Sequence, residues 1–106
     1  PFPKTRVEIV ERVAHEIIAG RHDQHEIASV LGMSVASLRR RLTEAGVQFR
    51  DIRAQTMNDI ARAALEDGTS ISEIAELLGF SDSRSFSRAF VQWNGMPPGD
   101  YRYSHK

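Results

Sequence analysis

At 106 residues with no cysteine, the chain has the length of one domain and excludes disulfides and thiolate metal sites. Its 41% hydrophobic and 8% aromatic content fits a globular helical protein, and no apolar run reaches membrane-spanning length. The formal net charge of +0 argues against a nucleic-acid binder unless charge is segregated along the chain. The missing cysteines and the lack of a signal-peptide pattern fit a cytoplasmic location. Pro1 in place of an initiating methionine fits a segment of a longer protein.

Thr5 to Glu8 reads as a T-x-x-E capping box, and the helix it opens carries Val10, Val13, Ala14, Ile17 and Ile18 on one face. Gly20 stops it. Asp23 to Glu26 caps a short second helix with Ile27, Ala28 and Leu31 inside, ended by Gly32. Ser34 caps a third helix over roughly 35–45, which buries Leu38 and Leu42 and presents Ala36, Ser37, Arg39, Arg40 and Arg41. Gly46 closes it. From about 49 to 67 there is no Gly or Pro, and Ile52, Met57, Ile60, Ala61, Ala64 and Leu65 give a buried side. About nineteen residues of helix span about 28 Å at 1.5 Å per residue. Gly68 ends this element.

Ser70 and Glu73 form a second capping box, followed by a buried face of Ile74, Ala75, Leu77 and Leu78. Gly79 falls where the helix must stop, a place where positive φ is needed and glycine adopts it without strain. Ser81 or Asp82 starts the next helix. Phe86, Phe90 and Trp93 line its inner face, and Ser83, Arg84, Ser87 and Arg88 lie opposite. Gly95 stops it, Pro97 to Tyr101 suggests a short terminal helix or turn, and the tail from Ser104 to Lys106 is expected to be mobile. Short helix, glycine turn and second helix together have the layout of a helix-turn-helix, whose second helix enters the DNA major groove.

The layout occurs twice. Glu26-Ile27-Ala28 recurs as Glu73-Ile74-Ala75, and Leu31-Gly32-Met33-Ser34 as Leu78-Gly79-Phe80-Ser81, both at an offset of 47. Beyond the turn Leu38 matches Phe86 and Leu42 matches Phe90 at an offset of 48, so the second copy has one extra residue just after Ser81. Charge follows the same division. Residues 34–53 hold five basic groups against two acidic, and 82–106 hold four against two. Residues 1–33 hold four against five, and 54–81 hold one against five. The two positive blocks contain the two second helices, as expected if one face meets phosphate.

Each feature has a plainer reading beside the functional one. Arg39, Arg40 and Arg41 point about 100° apart on a helix, so one groove cannot take all three; such a run is also the mark of a solvated surface. The repeat favours at least one of them as a base reader and another as a phosphate contact. Arg84 and Arg88 share a face, with a surface ion pair to Asp82 or Asp100 as the alternative. Ser34 and Ser81 read first as caps, with their helix N-termini also able to turn backbone N–H groups toward phosphate. Arg50 and Arg53 either touch the DNA backbone or solubilise the long helix. Phe86, Phe90 and Trp93 belong to the core by their spacing. His22 and His25 sit beside Asp23 and Glu26 at a helix start, where capping is the better reading than metal binding. No G-x-S-x-G, Walker A or H-E-x-x-H pattern occurs, so neither catalysis nor a cofactor or metal is expected.

The run ISEIAELLGFSDSRSFSRAFVQWNGMPPGDYR resembles the C-terminal signature of AraC/XylS-type transcriptional regulators, and LGMSVASLRRRL resembles their first helix-turn-helix. The likeness covers about Val7 to Arg102. LGMSVASLRRRLTEAGVQF is also similar to the branch with an N-terminal arabinose-binding-type sensor domain. The resemblance implies an all-α domain of about seven helices, with two helix-turn-helix subdomains joined by a linker helix, regulating bacterial promoters, most often as an activator. The expected division is subdomain 1 over about 5–46, the linker helix over about 49–67 and subdomain 2 over about 70–103. Carried over by position, Ala36, Arg39 and Arg40 of the first copy and Ser83, Arg84, Ser87 and Arg88 of the second would face bases. Ala36 stands where some relatives have a larger side chain, which reduces reading there to a thymine methyl. Ser34, Arg41, Arg50, Arg53 and Ser81 are the phosphate-contact candidates. The expected partner is double-stranded promoter DNA, with RNA polymerase as a further partner. The isolated domain is expected to be monomeric, and the full-length protein dimeric through a preceding domain. The competing expectation is a helical protein-interaction module that docks on RNA polymerase or another protein.

Overall fold

The structure is a computed structural model and describes residues 6–104. The expected cap at Thr5 and the tail residues His105 and Lys106 lie outside the described residues. Seven helices follow one another: α1 Arg6–Ile18, α2 Gln24–Val30, α3 Val35–Glu44, α4 Phe49–Glu66, α5 Ile71–Leu77, α6 Ser83–Asn94 and α7 Pro98–Ser104. The fold is all-α, two helix-turn-helix subdomains connected by the long α4. The chain divides into two compact units within α4, the first ending at Thr56 and the second starting at Met57. No described helix is long and apolar enough to cross a membrane.

In the first unit α1 and α2 both pack on α3. Its core is Ile9, Val13 and Ile17 from α1, Ile27, Ala28 and Leu31 around α2, Leu38 and Leu42 from α3, and Ile52 from α4. This corrects the face expected for α1. Ile18 is 63% exposed, and Ile9, absent from the expected face, is buried. The inward stripe runs 9, 13, 16, 17, with Glu16 in it. A glutamate argues against burial on sequence grounds, yet Arg21 Nη1 lies 3.0 Å from Glu16 Oε1 and supplies the opposite charge. Arg21 Nε also lies 3.4 Å from Glu26 Oε1, which joins the end of α1 to α2.

In the second unit α6 packs on α5 and α7. Met57, Ala61 and Leu65 of α4 meet Ile74, Ala75 and Leu78 around α5, Phe86 and Phe90 of α6, and Tyr101 of α7 in its core. The aromatic rings are continuous. Phe86 stands 5.7 Å from Phe80 and 5.8 Å from Phe90, and Phe90 stands 5.5 Å from Tyr101, all tilted or edge-on. Edge-on geometry of this kind adds about 0.5–1.5 kcal/mol per pair beyond area burial. Trp93 is half-buried and reaches Phe80 at 6.3 Å. Leu77 was expected inside but is 62% exposed, because Ile74, Ala75 and Leu78 already fill the inward side of a helix only two turns long.

Polar contacts fasten α4 to α6 and α7 in the second unit. Asn58 and Asn94 exchange side-chain amide hydrogen bonds at 3.2 and 2.8 Å, and Asn94 Nδ2 also donates to the Phe90 carbonyl at 3.1 Å. Arg102 donates from Nε to the Leu65 carbonyl at 3.1 Å and from Nη2 to the Thr69 carbonyl, closing the C-terminal end of α4. Tyr101 donates its hydroxyl to Glu66 at 2.5 Å and accepts from Arg62 Nε at 3.0 Å.

Candidate nucleic-acid interface

The two turns are built from the same hydrogen bonds. In the first, Gly32 N donates to the Ser29 carbonyl and Met33 N to the Ala28 carbonyl, both at 3.0 Å. In the second, Gly79 N donates to the Glu76 carbonyl at 3.1 Å and Phe80 N to the Ala75 carbonyl at 2.9 Å. Gly32 has φ +76° and Gly79 has φ +82°, the left-handed conformation that closes each helix and reverses the chain. A Cβ at Gly32 would meet nothing within 4 Å, so backbone conformation alone selects glycine there.

The helices that follow start on different side chains. Ser34 Oγ accepts from Ser37 N at 3.1 Å and caps α3. Asp82 Oδ1 accepts from Ser85 N at 2.7 Å and caps α6. Of the two starts the sequence offered, Ser81 and Asp82, the cap is Asp82, and Ser81, read first as a cap, is not one. It is the extra residue of the second copy and lies exposed in the turn. The turns match at an offset of 47 and the caps at 48, so the insertion falls between Phe80 and Asp82. The Ser85 backbone N–H, with the Ser85 side chain, holds the Asp82 carboxyl below its ordinary value, and Arg88 and Arg84 add to the effect. Asp23 caps α2 in the same way, accepting from His25 N at 2.8 Å. Among the described residues no three metal-ligating side chains converge.

Cap alignment pairs Ala36 with Arg84, Arg39 with Ser87 and Arg40 with Arg88. Ala36, Arg39 and Arg40 are exposed on α3, and Leu38 and Leu42 are buried opposite them. On α6, Arg84 and Arg88 are exposed and Ser83 and Ser87 half-exposed, with Phe86 and Phe90 fully buried. Arg41 is half-exposed, turned off the Ala36–Arg40 stripe as its position on the helix dictates. Arg39, Arg40, Arg50, Arg53 and Arg84 hold no ion pair among the described residues, and Arg88 makes only a 3.5 Å contact to Ser85 Oγ. The ion pairs to Asp82 or Asp100 weighed for Arg84 and Arg88 are not formed. Arg39 and Arg50 also line an open concavity of about 350 Å³ between the start of α2, the second half of α3 and the start of α4. Ser34 is exposed at the start of α3, and Arg53 is exposed on α4.

A helix-turn-helix domain family matches residues 27–104, nearly three quarters of the chain. The chain belongs to this helix-turn-helix family. The ornithine utilization regulator of Pseudomonas aeruginosa is 41% identical over 85 residues, which cover 76% of this chain and 24% of that protein. A crystal structure of the transcriptional regulator CdpR from Pseudomonas aeruginosa matches with a TM-score of 0.80 at 33% identity, over 90% of this chain and 31% of that one. A crystal structure of a DNA-binding transcriptional dual regulator from Escherichia coli K-12 matches with a TM-score of 0.83 at 26% identity, over 92% and 91% of the two chains. The chain spans about a quarter of the length of the curated relatives it matches. It is a helix-turn-helix transcriptional-regulator domain related to AraC/XylS-like proteins, a non-catalytic class.

The helix-turn-helix alignment also brings forward residues that sequence reasoning passed over. Thr43 and Val91 are exposed and stand seven residues after Ala36 and Arg84, on the same stripe two turns further along. The i, i+3, i+4, i+7 spacing from Ala36 and Arg84 is the signal in the sequence that marks both positions. Val30 and Leu77, paired at an offset of 47, are likewise exposed apolar residues at matching positions, 46% and 62% accessible.

Proposed function

We propose that this helix-turn-helix domain binds double-stranded DNA sequence-specifically, inserting α3 and α6 into successive major-groove segments, as the C-terminal DNA-binding domain of an AraC/XylS-type regulator of bacterial promoters. One observation carries the reading: two helix-turn-helix units with the same turn bonds present Arg39 and Arg40, and Arg84 and Arg88, opposite their cores with no ion pair among the described residues. Arginine suits bidentate hydrogen bonding to guanine O6 and N7, and serine accepts or donates to any base edge. Arg39, Arg40, Arg84 and Arg88, with Ser83 and Ser87, read bases, and Ala36 meets a thymine methyl. Ser34, Ser81, Arg41, Arg50 and Arg53 hold phosphates and fix the register. Promoter activation and dimerisation through a preceding domain complete the reading, in a cytoplasmic regulator.

Selection from a randomised duplex pool at low salt tests it. An enriched motif of two sub-sites about one turn apart, roughly 34 Å, is the expected result. A pool without enrichment sinks the proposal. A second reading, docking on RNA polymerase or another protein, draws on the acidic 54–81 stretch and on Leu77, exposed between Glu73 and Glu76 and the following turn. Charge reversal at Glu73 and Glu76 separates the two, since it would impair activation while leaving the selected motif intact.

A further inference from the structure

Val91 is the one hydrophobic residue among the exposed positions of α6, at 42% accessibility. It belongs neither to the buried pair Phe86 and Phe90 nor to the Phe80–Trp93 contact. With Asp82 fixing the start of the helix, Val91 falls two turns after Arg84, within about 20° of it in projection, and Ser87 and Arg88 lie between. Its counterpart in the first copy, Thr43, is also exposed and also carries a branched methyl group. The stripe Arg84–Ser87–Arg88–Val91 thus ends on a side chain with no hydrogen-bonding group at all.

Such a side chain distinguishes base edges only by shape and apolar contact. In the major groove the single apolar group offered by any base pair is the C5 methyl of thymine. We infer that Val91 is a specificity-determining residue, which packs against the methyl group of a thymine at the end of the sub-site read by α6. The inference rests on the proposed DNA-reading role of α6 and adds the base at one position.

The test uses the protein with the duplex selected from the randomised pool, replacing each thymine in turn by deoxyuridine, which removes only the methyl group. One replacement is expected to weaken binding about fourfold, the effect of one buried methylene-sized group. Val91→Ala is expected to lose about the same factor on the unmodified duplex and to be indifferent to that replacement. Val91→Thr, which keeps one methyl group, retains the sensitivity and guards against a folding defect in the alanine variant. Melting temperatures of the three proteins should agree closely, since the residue is exposed. Val91→Ala binding like the parent overturns the inference while leaving the DNA-reading role standing, and so does equal sensitivity of both proteins to every uracil. Failure to select any motif overturns both.

Discussion

The Asp82 carboxylate accepts the Ser85 amide at the start of α6, and that bond, the Ser85 side chain and the two nearby arginines all favour its charged form. Its pKa in the folded protein therefore lies below the ordinary 3.8. The stability this group contributes is fully present above its unfolded value and is lost as pH falls through the folded one. Asp82→Asn keeps an acceptor at the cap and removes the charge. Thermal melts from about pH 6 to about pH 2 should show a shallower acid-side loss in the Asn variant, and equal slopes would refute the assignment. Arg84 adds to the lowering of the Asp82 pKa without forming an ion pair or hydrogen bond among the described residues. Arg84→Ala should cost about 1–3 kcal/mol on the selected duplex and far less on a random one, measured by direct titration. The same loss on both duplexes would make Arg84 a phosphate contact.

At the scale of the helices, α6 is anchored on α4 by the reciprocal Asn58–Asn94 pair, with Asn58 buried. Asn58→Ala leaves the Asn94 amide half-satisfied, an expected destabilisation of about 1–2 kcal/mol in urea melts. The double variant with Asn94→Ala should cost less than the sum of the two single changes, and strict additivity would mean that the pair acts as two separate surface groups. The periodicity of apolar residues made the helices and most of the core legible, including Leu38, Leu42, Phe86 and Phe90. It failed where one residue type sent two signals. Ile18 extended an apolar run that Ile9 and a neutralised Glu16 displaced from the core. Ser81 matched the true cap, Ser34, at an offset of 47, but it is itself the inserted residue, and Asp82 holds the cap. The Asn58–Asn94 and Arg102–Leu65 bonds join positions far apart in the chain, and no local pattern encodes them. On the candidate interface the arginine stripes were readable because charge and repeat coincide, whereas Val91 carries no charge and is marked only by its spacing of seven from Arg84.

For the molecule as a whole, a formal net charge of +0 and DNA binding are compatible only if counterions are released locally. The blocks at 34–53 and 82–106 are basic, and their exposed arginines Arg39, Arg40, Arg50, Arg53, Arg84 and Arg88 form no ion pair among the described residues. The acidic residues of 54–81 sit in a separate block of the sequence. A protein bound through such patches should lose affinity linearly in log[salt], with a slope of about −0.9 per phosphate neutralised. Arg50→Ala and Arg53→Ala, on the exposed side of α4, should each weaken binding to all duplexes alike and make that slope shallower by about 1. Val91→Ala should leave the slope untouched while changing affinity, since a methyl contact releases no ion. Titrations at four or five salt concentrations separate these behaviours. An unchanged slope in both arginine variants would mean that α4 is solvated rather than applied to the backbone, and the phosphate register would then have to come from the starts of α3 and α6.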